Sequence, residues 1–257
     1  MRNLSICAAL LSVALCGMLS ADEKLSMSDS DKAMYAEMVE NNPASMDLAE
    51  GEEMFNSMIG VDAYAKMVGV KTKDLPKFIA GFPRVLKPAG KVVTLAQSLQ
   101  MAMADRNQTV PKLESAQIVK MSGHLKSLAN GQKTNIDVKA NKQMKEMHAL
   151  GQTVFEERRG GRGLSCNSCH SADVVGQRLR MQPLPDLGAK ESASAGTWPA
   201  YRMTQSAMVT LDKRMQQCMK NALLAEIPLG SKEIVALEVY VTNKTKGNAI
   251  QIPGLKR

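Results

Sequence analysis

The sequence predicts an all-α protein. Aromatic residues make up only 4% of the 257 residues, whereas Met alone occurs 19 times. Aromatic and β-branched side chains favour strands, and Met, Ala, Leu, Lys and Gln favour helices. Apolar residues contribute 44% and charged residues 23%, which excludes a disordered, collagen-like or multi-span membrane protein. A chain of this length holds one or two domains, and we expect two.

The N-terminus predicts a secretory signal peptide. Arg2 precedes an apolar stretch, residues 4–19, which ends in small residues typical of a cleavage site. The stretch is shorter than the roughly 20 residues that a membrane span needs, so a transmembrane anchor is the weaker alternative. Lipidation at Cys16 is a further alternative. We therefore expect a periplasmic protein with no membrane span after cleavage.

Charge limits the partners of the cleaved chain. Cleavage removes Arg2, so the formal net charge falls from +8 to +7. A basic protein attracts anionic small molecules or acidic protein surfaces. No basic stripe with interleaved aromatic residues is present, so nucleic acid is not an expected partner.

Three cysteines remain in the cleaved chain, and two of them belong to a C-x-x-C-H string. Cys166, Cys169 and His170 form this string, which is the attachment motif of c-type haem. Two thiols three positions apart on a helical turn can both form thioethers with the haem vinyl groups, and the adjacent imidazole then lies over the iron. A thioredoxin-like dithiol needs a βαβ context, and a zinc site needs a second ligand pair; neither is evident. The string therefore predicts one covalently bound haem c.

The segments around the string predict two helices. Residues 147–158 carry Gly151 and Phe155 with the apolar spacing of an amphipathic helix. A second helix begins near Ser231, which is a good N-cap residue, and carries Tyr240. This resembles the class I cytochrome c pattern, in which a first helix with Gly and Phe crosses a last helix with an aromatic residue.

The chain also contains an internal repeat. At a constant offset of 116 residues, several identical residues recur within a stretch of more than forty positions. Examples are Thr94-Leu95 with Thr210-Leu211, Met103 with Met219, Ile118-Val119 with Ile234-Val235 and Gly131 with Gly247. Upstream, Gly51 and Phe55 match Gly151 and Phe155 at an offset of 100. The repeat predicts two class I cytochrome c-like domains.

Only the C-terminal domain is expected to bind haem. The first copy contains no cysteine, and Ala102 stands where the second copy has Cys218. We expect apolar side chains to fill its haem space, among them Met54, Met58, Met67, Leu99 and Met101. The predicted division is a signal peptide over 1–21, a haem-less domain over 22–138 and a haem domain over 139–257.

The sixth ligand of the iron has several candidates. Methionines downstream of the string could serve as in an electron-carrying cytochrome: Met181, Met203, Met208, Met215 and Met219. Cys218 is the sharper candidate, because it is the third thiol and lies in residues 204–224, which read as a helix. Arg214 lies one helical turn earlier, where a guanidinium would lower the thiol pKa and could hold an anionic substrate.

Several stretches together carry a family resemblance. They are the C-x-x-C-H string, Trp198-Pro199-Ala200-Tyr201-Arg202, the segment 211–218 that ends in Cys218, the helix at 238–240 and the closing residues 252–254. These resemble the SoxA family, subunits of the SoxAX thiosulfate-oxidising cytochrome. The resemblance covers most of the chain after the signal peptide and is most specific in the last hundred residues.

The resemblance implies roles for particular residues. His170 and Cys218 would be the axial haem ligands, Cys218 would be able to carry an extra sulfur as a persulfide, and Arg214 would contact substrate. Many family members hold a second haem in the first domain, and this chain, which lacks the motif there, is similar to a mono-haem form.

The resemblance also implies a reaction and partners. The family activity, L-cysteine S-thiosulfotransferase, joins thiosulfate to a cysteine on the SoxYZ carrier and releases two electrons. Electrons would leave through the partner cytochrome SoxX. Five arginines near the haem motif could draw anions or an acidic partner, with a solvated surface as the alternative: Arg158, Arg159, Arg162, Arg178 and Arg180. The alternative functions are a plain periplasmic His/Met electron-transfer cytochrome and a binding subunit whose haem is structural.

Overall fold

The computed structural model describes residues 28–174, 178–179, 182–187 and 194–256. The helices in these ranges are α1 (Asp29–Glu40), α2 (Ala44–Met58), α3 (Val61–Val68), α4 (Leu75–Ile79), α5 (Leu95–Asp105), α6 (Ala116–Ser127), α7 (Lys142–Glu156), α8 (Leu211–Asn221) and α9 (Lys232–Lys244). The strands are β1 (Arg84–Leu86), β2 (Lys91–Val93), β3 (Arg178–Leu179), β4 (Gln182–Pro183), β5 (Ala200–Arg202), β6 (Ala207–Val209) and β7 (Gly254–Lys256).

Helices dominate, as predicted, but the structure adds three small sheets that the composition did not indicate. Strands β1 and β2 pair antiparallel, as do β3 and β4, and the third sheet has the order β6-β5-β7 with β5 and β7 parallel. Each strand has only two or three residues, too few for an alternating apolar pattern to stand out.

Two pairs of crossing helices form the framework. Gly151 on α7 lies against α9 so closely that a Cβ would be 2.0 Å from the carbonyl oxygen of Ala236. One turn later, the rings of Phe155 and Tyr240 are 5.2 Å apart. The predicted crossing of a helix carrying Gly and Phe with a helix carrying an aromatic residue is therefore present.

The helices α2 and α6 cross in the same way. A Cβ on Gly51 would be 2.3 Å from the carbonyl oxygen of Lys120, and the rings of Phe55 and His124 are 5.5 Å apart. At the offset of 116, Lys120 and His124 correspond to Ala236 and Tyr240, the residues of α9 that make these contacts. The glycines of both helix pairs thus meet equivalent carbonyl groups.

The offset of 116 also relates the elements between these helices. Strands β1 and β2 correspond to β5 and β6, α5 corresponds to α8, and α6 corresponds to α9. The N-caps recur as well, since Thr94 and Thr210 precede α5 and α8, and Ser115 and Ser231 precede α6 and α9. We call residues 51–131 the N-terminal repeat and residues 151–247 the C-terminal repeat.

The helix boundaries differ from the predictions at two places. Helix α7 begins earlier than expected because the Asn141 side chain accepts a hydrogen bond from the backbone N–H of Met144, at 2.9 Å, as an N-cap. The helix predicted over 204–224 is wrong in its first third, where β6 pairs with β5 and Thr210 is extended. The Ser231 N-cap is confirmed, since its hydroxyl accepts a hydrogen bond from the N–H of Ile234.

Apolar side chains form two main clusters. One consists chiefly of residues 55–129 and also takes in Ile250 and Ile252. The other consists chiefly of residues 136–241 and also takes in Val92. Each cluster therefore borrows side chains from beyond its own repeat, and the division at residue 138 stays a prediction.

The centre of the N-terminal repeat is filled differently from our expectation. Leu99 is fully buried as predicted, but the four predicted methionines are only partly buried and pack around the cluster. The other fully buried side chains there include Tyr64, Leu75, Ile79 and Met103. The fully buried side chains there are thus a tyrosine ring, branched side chains and Met103, rather than the four predicted methionines.

The predicted signal peptide, Arg180 and Met181 lie outside the described residues. Within the described ranges, none of the helices has both the length and the apolar character required to cross a membrane.

Candidate functional site

The C-x-x-C-H string forms a short capped turn after α7. The N–H groups of Cys169 and His170 both donate to the carbonyl oxygen of Cys166, at 3.1 and 3.0 Å. Ser165 and Ser168 cap this turn reciprocally, each hydroxyl accepting a hydrogen bond from the other residue's backbone N–H. The turn places the two thiols and the imidazole together, as the motif predicts.

The imidazole of His170 is oriented by a backbone carbonyl. Its Nδ1 lies 2.9 Å from the carbonyl oxygen of Pro185. Because a carbonyl only accepts, Nδ1 carries the proton and donates it, which leaves the lone pair of Nε2 free. In a metal-binding histidine, a hydrogen bond from the ring nitrogen that does not bind the metal fixes the tautomer in this way.

Cys218 faces that free nitrogen. Its Sγ lies 3.9 Å from Nε2 of His170. Cys218 is on α8, and Arg214 precedes it by one turn on the same helix. The structure thus brings together all five residues predicted for the site.

The thiols and the imidazole line an apolar cavity between α7, α8 and α9. Its other walls include Phe155, Leu164, Leu187, Met219, Leu237 and Val241. The helix crossing at Gly151 therefore shapes one end of this cavity, since α7 and α9 both contribute to it.

Burial controls the ionisation of these groups. It raises the pKa of the Cys166 thiol to about 11 and lowers the pKa of His170. Burial also raises the pKa of Cys218, and the Arg214 guanidinium opposes this without overcoming it. Arg214 thus acts on the Cys218 thiol in the expected direction, but the net pKa is raised because removal of water from the thiolate outweighs the nearby positive charge.

The structure narrows the methionine candidates. Met215 and Met219 line the cavity. Met203 is 43% exposed, and Met208 packs against Ala44 and Val119 outside the cavity. Of the four candidate methionines that the structure describes, only the two on α8 line the cavity.

The arginines near the motif have mixed surroundings. Arg158 and Arg162 are exposed, whereas Arg159 forms an ion pair with Glu157. Arg202 ends the stretch that begins at Trp198. It is buried, and it lies close enough to Arg214 for their charges to interact. Its burial was not readable from the sequence.

The donor set fits a covalently attached haem. Two thiols flank a turn that ends in an imidazole with a free nitrogen, and a third sulfur lies opposite that nitrogen. The apolar walls suit a porphyrin.

Known proteins with similar sequences point to one family. No family model matches the chain. The chain is 32% identical over 239 residues to the L-cysteine S-thiosulfotransferase subunit SoxA of Hydrogenophilus thermoluteolus, covering 86% of this chain and 85% of the relative. It is 26% identical to the subunit of the same name from Hydrogenobacter thermophilus, covering 84% and 82% of the two chains.

A solved structure agrees with these relatives. The crystal structure of SoxXA from P. pantotrophus contains a chain that matches with a TM-score of 0.72 and 21% identity, over 84% of this chain and 79% of that chain. This likeness shows a cytochrome c fold, for which haem is the expected cofactor. The extent and identity of the match to the Hydrogenophilus thermoluteolus subunit show that the chain belongs to the SoxA family of L-cysteine S-thiosulfotransferase subunits.

Proposed function

We propose that the chain is the SoxA-type subunit of a periplasmic thiosulfate-oxidising cytochrome and acts as an L-cysteine S-thiosulfotransferase. The observation that carries this function is the position of Cys218, whose Sγ faces Nε2 of His170 across 3.9 Å with Arg214 one turn away. A thiol, an anion-binding guanidinium and a haem-attachment turn meet there. The names of the relatives support the activity.

One haem c is proposed, which Cys166 and Cys169 would hold through thioethers and His170 and Cys218 would hold through its iron. When bound, the haem accepts electrons one at a time. The absence of any second C-x-x-C-H string in the sequence supports a single haem. So does the packing at the equivalent place in the N-terminal repeat, where Ala102 replaces Cys218 and Tyr64 is fully buried.

The reaction joins a sulfur of thiosulfate to the sulfur of a cysteine on a SoxYZ-type carrier. The carrier thiol loses its proton, a sulfur–sulfur bond forms, and two electrons leave. Arg214 binds the thiosulfate dianion with its fork of donors. Cys218 lies next to the bound anion and serves as the sulfur relay. Its thiolate forms a sulfur–sulfur bond with thiosulfate as the two electrons leave, and the carrier thiolate then attacks the thiosulfate-derived sulfur and releases the Cys218 thiolate.

A SoxX-type cytochrome is the proposed electron partner. One haem takes one electron at a time, whereas the reaction yields two, so a second redox centre is needed. The P. pantotrophus structure is of SoxXA, which supports a heterodimer of this kind.

The domain organisation and location are proposed as follows. Residues 1–21 direct export and are removed, residues 22–138 form a haem-less cytochrome c-like domain, and residues 139–257 form the haem domain in the periplasm. An intact-mass spectrum of the mature protein tests this organisation. It should report cleavage near Ala21 and the mass of one haem.

A coupled assay tests the activity. The holoprotein, with its SoxX partner and a thiosulfate-accepting carrier, should show haem reduction that depends on both thiosulfate and the carrier. Cys218→Met should abolish this reduction while keeping the haem attached. Lys220→Gln changes an exposed cation on the same helix and should leave the rate unchanged. Normal activity of Cys218→Met would contradict the role of Cys218 and favour a binding subunit whose haem is structural.

A further inference from the structure

Three cations of the third sheet and α8 lie near one another, and none of them has an acidic partner among the described residues. In the parallel register of β5 and β7, Arg202 stands directly opposite Lys256. Register partners project their side chains from the same face of a sheet, so two positive charges leave this face together. Like charges in this relation destabilise a sheet. Within the ranges that the structure describes, neither residue forms an ion pair.

Arg202 is the most deeply buried of these cations. Arg202 is only 7% exposed, and its Nε is buried and has no hydrogen-bond partner within the described ranges. Its neighbour on the other side of β5 is Ala207, whose small side chain supplies no acceptor. A buried donor without a partner costs free energy, so the site is incomplete as the protein alone forms it.

The sheet that carries Arg202 and Lys256 lies against the helix that carries Cys218. The side chains of Gln205, in the turn between β5 and β6, and Gln217, on α8, exchange hydrogen bonds of 3.1 and 3.0 Å. Arg214 lies one helical turn before Cys218 on α8. The charge of Arg202 acts on Lys256, and the charge of Arg214 acts on Arg202; together with burial, these charges lower the pKa values of Lys256 and Arg202. An anion bound between the two guanidinium groups would relieve the repulsion and supply the missing acceptor.

We propose that Arg202 and Lys256, together with Arg214, form one binding site for a small dianion with sulfonate-type oxygens, and that this site holds the anion beside Cys218. The inference rests on the proposed function and adds two residues to its substrate site. Two guanidinium forks match the oxygens of such a group bidentately. A group of three positive charges favours a dianion over a monoanion.

Equilibrium dialysis of the haem-loaded protein with ³⁵S-labelled thiosulfate tests the site without requiring turnover. Arg202→Gln should weaken binding about tenfold or more, because a charge-assisted hydrogen bond is lost. Arg202→Lys should recover part of the affinity, since the charge remains without the fork. Lys256→Gln should weaken binding less, about threefold, because a single more distant charge is removed. Lys220→Gln is the matched control and should bind like the parent protein.

The outcomes separate this inference from the proposed function. Equal binding by Arg202→Gln and the parent would overturn the inference, even if the parent protein is active with the carrier. The parent protein could bind thiosulfate strongly, and Arg202→Gln weakly, although the parent shows no reaction with a carrier. This result would support the site and overturn the proposed function. If Arg202→Gln does not fold, as judged by its haem absorption spectrum, Lys256→Gln decides: unchanged affinity there contradicts a three-cation site, and weaker binding supports it.

Discussion

The Tyr64 hydroxyl lies 2.6 Å from Oγ of Ser98, and Ser98 is the residue that corresponds to Arg214 in the C-terminal repeat. Beside it, Ala102 corresponds to Cys218. Where one repeat has a cation and a thiol next to a cavity, the other therefore has a small hydroxyl bonded to a buried ring. Tyr64 occupies this part of the N-terminal repeat as a structural side chain.

Removing the Tyr64 ring should destabilise the protein and leave the haem unaffected. Tyr64→Ala is expected to lower the free energy of unfolding by about 3–5 kcal/mol, as for other large buried rings. Tyr64→Phe should cost only about 1 kcal/mol, because Ser98 keeps its hydrogen bond to the carbonyl of Leu95. Chemical denaturation measures both. The partly exposed Tyr201→Phe is the control, and a changed haem spectrum in Tyr64→Ala would contradict the structural role.

Gly151→Ala should disrupt the crossing of α7 and α9. Its Cβ would lie 2.0 Å from a backbone carbonyl, so the helices must separate, at a cost of about 3 kcal/mol or more. Because both helices line the cavity, the haem absorption spectrum should change as well. Gly51→Ala meets a carbonyl at 2.3 Å in the other helix pair and should lower stability without altering the spectrum.

Gly161 supplies the matched control for these substitutions. A Cβ there would have nothing within 4 Å. The free energy of unfolding of Gly161→Ala, measured by chemical denaturation, should equal that of the parent protein within about 0.5 kcal/mol. Equal stability of Gly151→Ala and Gly161→Ala would mean that the close crossing is not required.

The axial ligand should be visible by electron paramagnetic resonance of the oxidised protein. Cys218→Met is expected to replace the signal of a thiolate-bound low-spin iron by that of a thioether-bound one, and to raise the reduction potential. Met215→Leu and Met219→Leu, which change the other sulfurs that line the cavity, should leave the signal in place. A signal lost in either methionine variant and retained in Cys218→Met would identify a methionine ligand.

A buried ionisable pair between the two repeats should make stability depend on pH. Burial raises the pKa of Glu238 to about 8 and lowers the pKa of Lys126 to about 8. Between about pH 5 and 8 the folded protein keeps a proton on Glu238 that the unfolded chain has lost. The contribution of Glu238 to stability is therefore present at low pH and disappears as the pH rises towards 8.

Glu238→Gln should remove most of this dependence. Denaturation at pH 5 and pH 8 should show the parent losing more stability than the variant, by on the order of 2 kcal/mol. Glu233→Gln, at the exposed start of the same helix, should behave like the parent. Parallel pH profiles of the parent and Glu238→Gln would contradict the assignment.

Local patterns allowed most of the framework to be predicted. Gly151 and Phe155 identified α7, Ser231 identified the start of α9, and the offset of 116 residues anticipated the recurrence of the helices, although not the strands between them. Such features depend on neighbours along the chain. The spacing of Arg214 and Cys218 on α8 was predictable for the same reason.

Contacts between distant segments could be predicted only where a motif or the family resemblance indicated them. The segment before Thr210 has helical composition, yet β6 forms because β5 offers backbone partners. The placement of Arg202 opposite Lys256 depends on strand register, which short strands do not encode in an apolar pattern. The net pKa shift of Cys218 depends on burial that only the packed helices create.

Ile250 and Ile252 complete the apolar cluster of the N-terminal repeat. Asn130 clamps this segment, since its side chain donates to the carbonyl of Ile252 at 2.7 Å and accepts from the N–H of Ile252 at 2.8 Å. The first core of the nascent polypeptide therefore reaches its final packing only when almost the whole chain has been synthesised. The same segment ties the end of the chain to its first half, so we expect the two repeats to unfold as one cooperative unit.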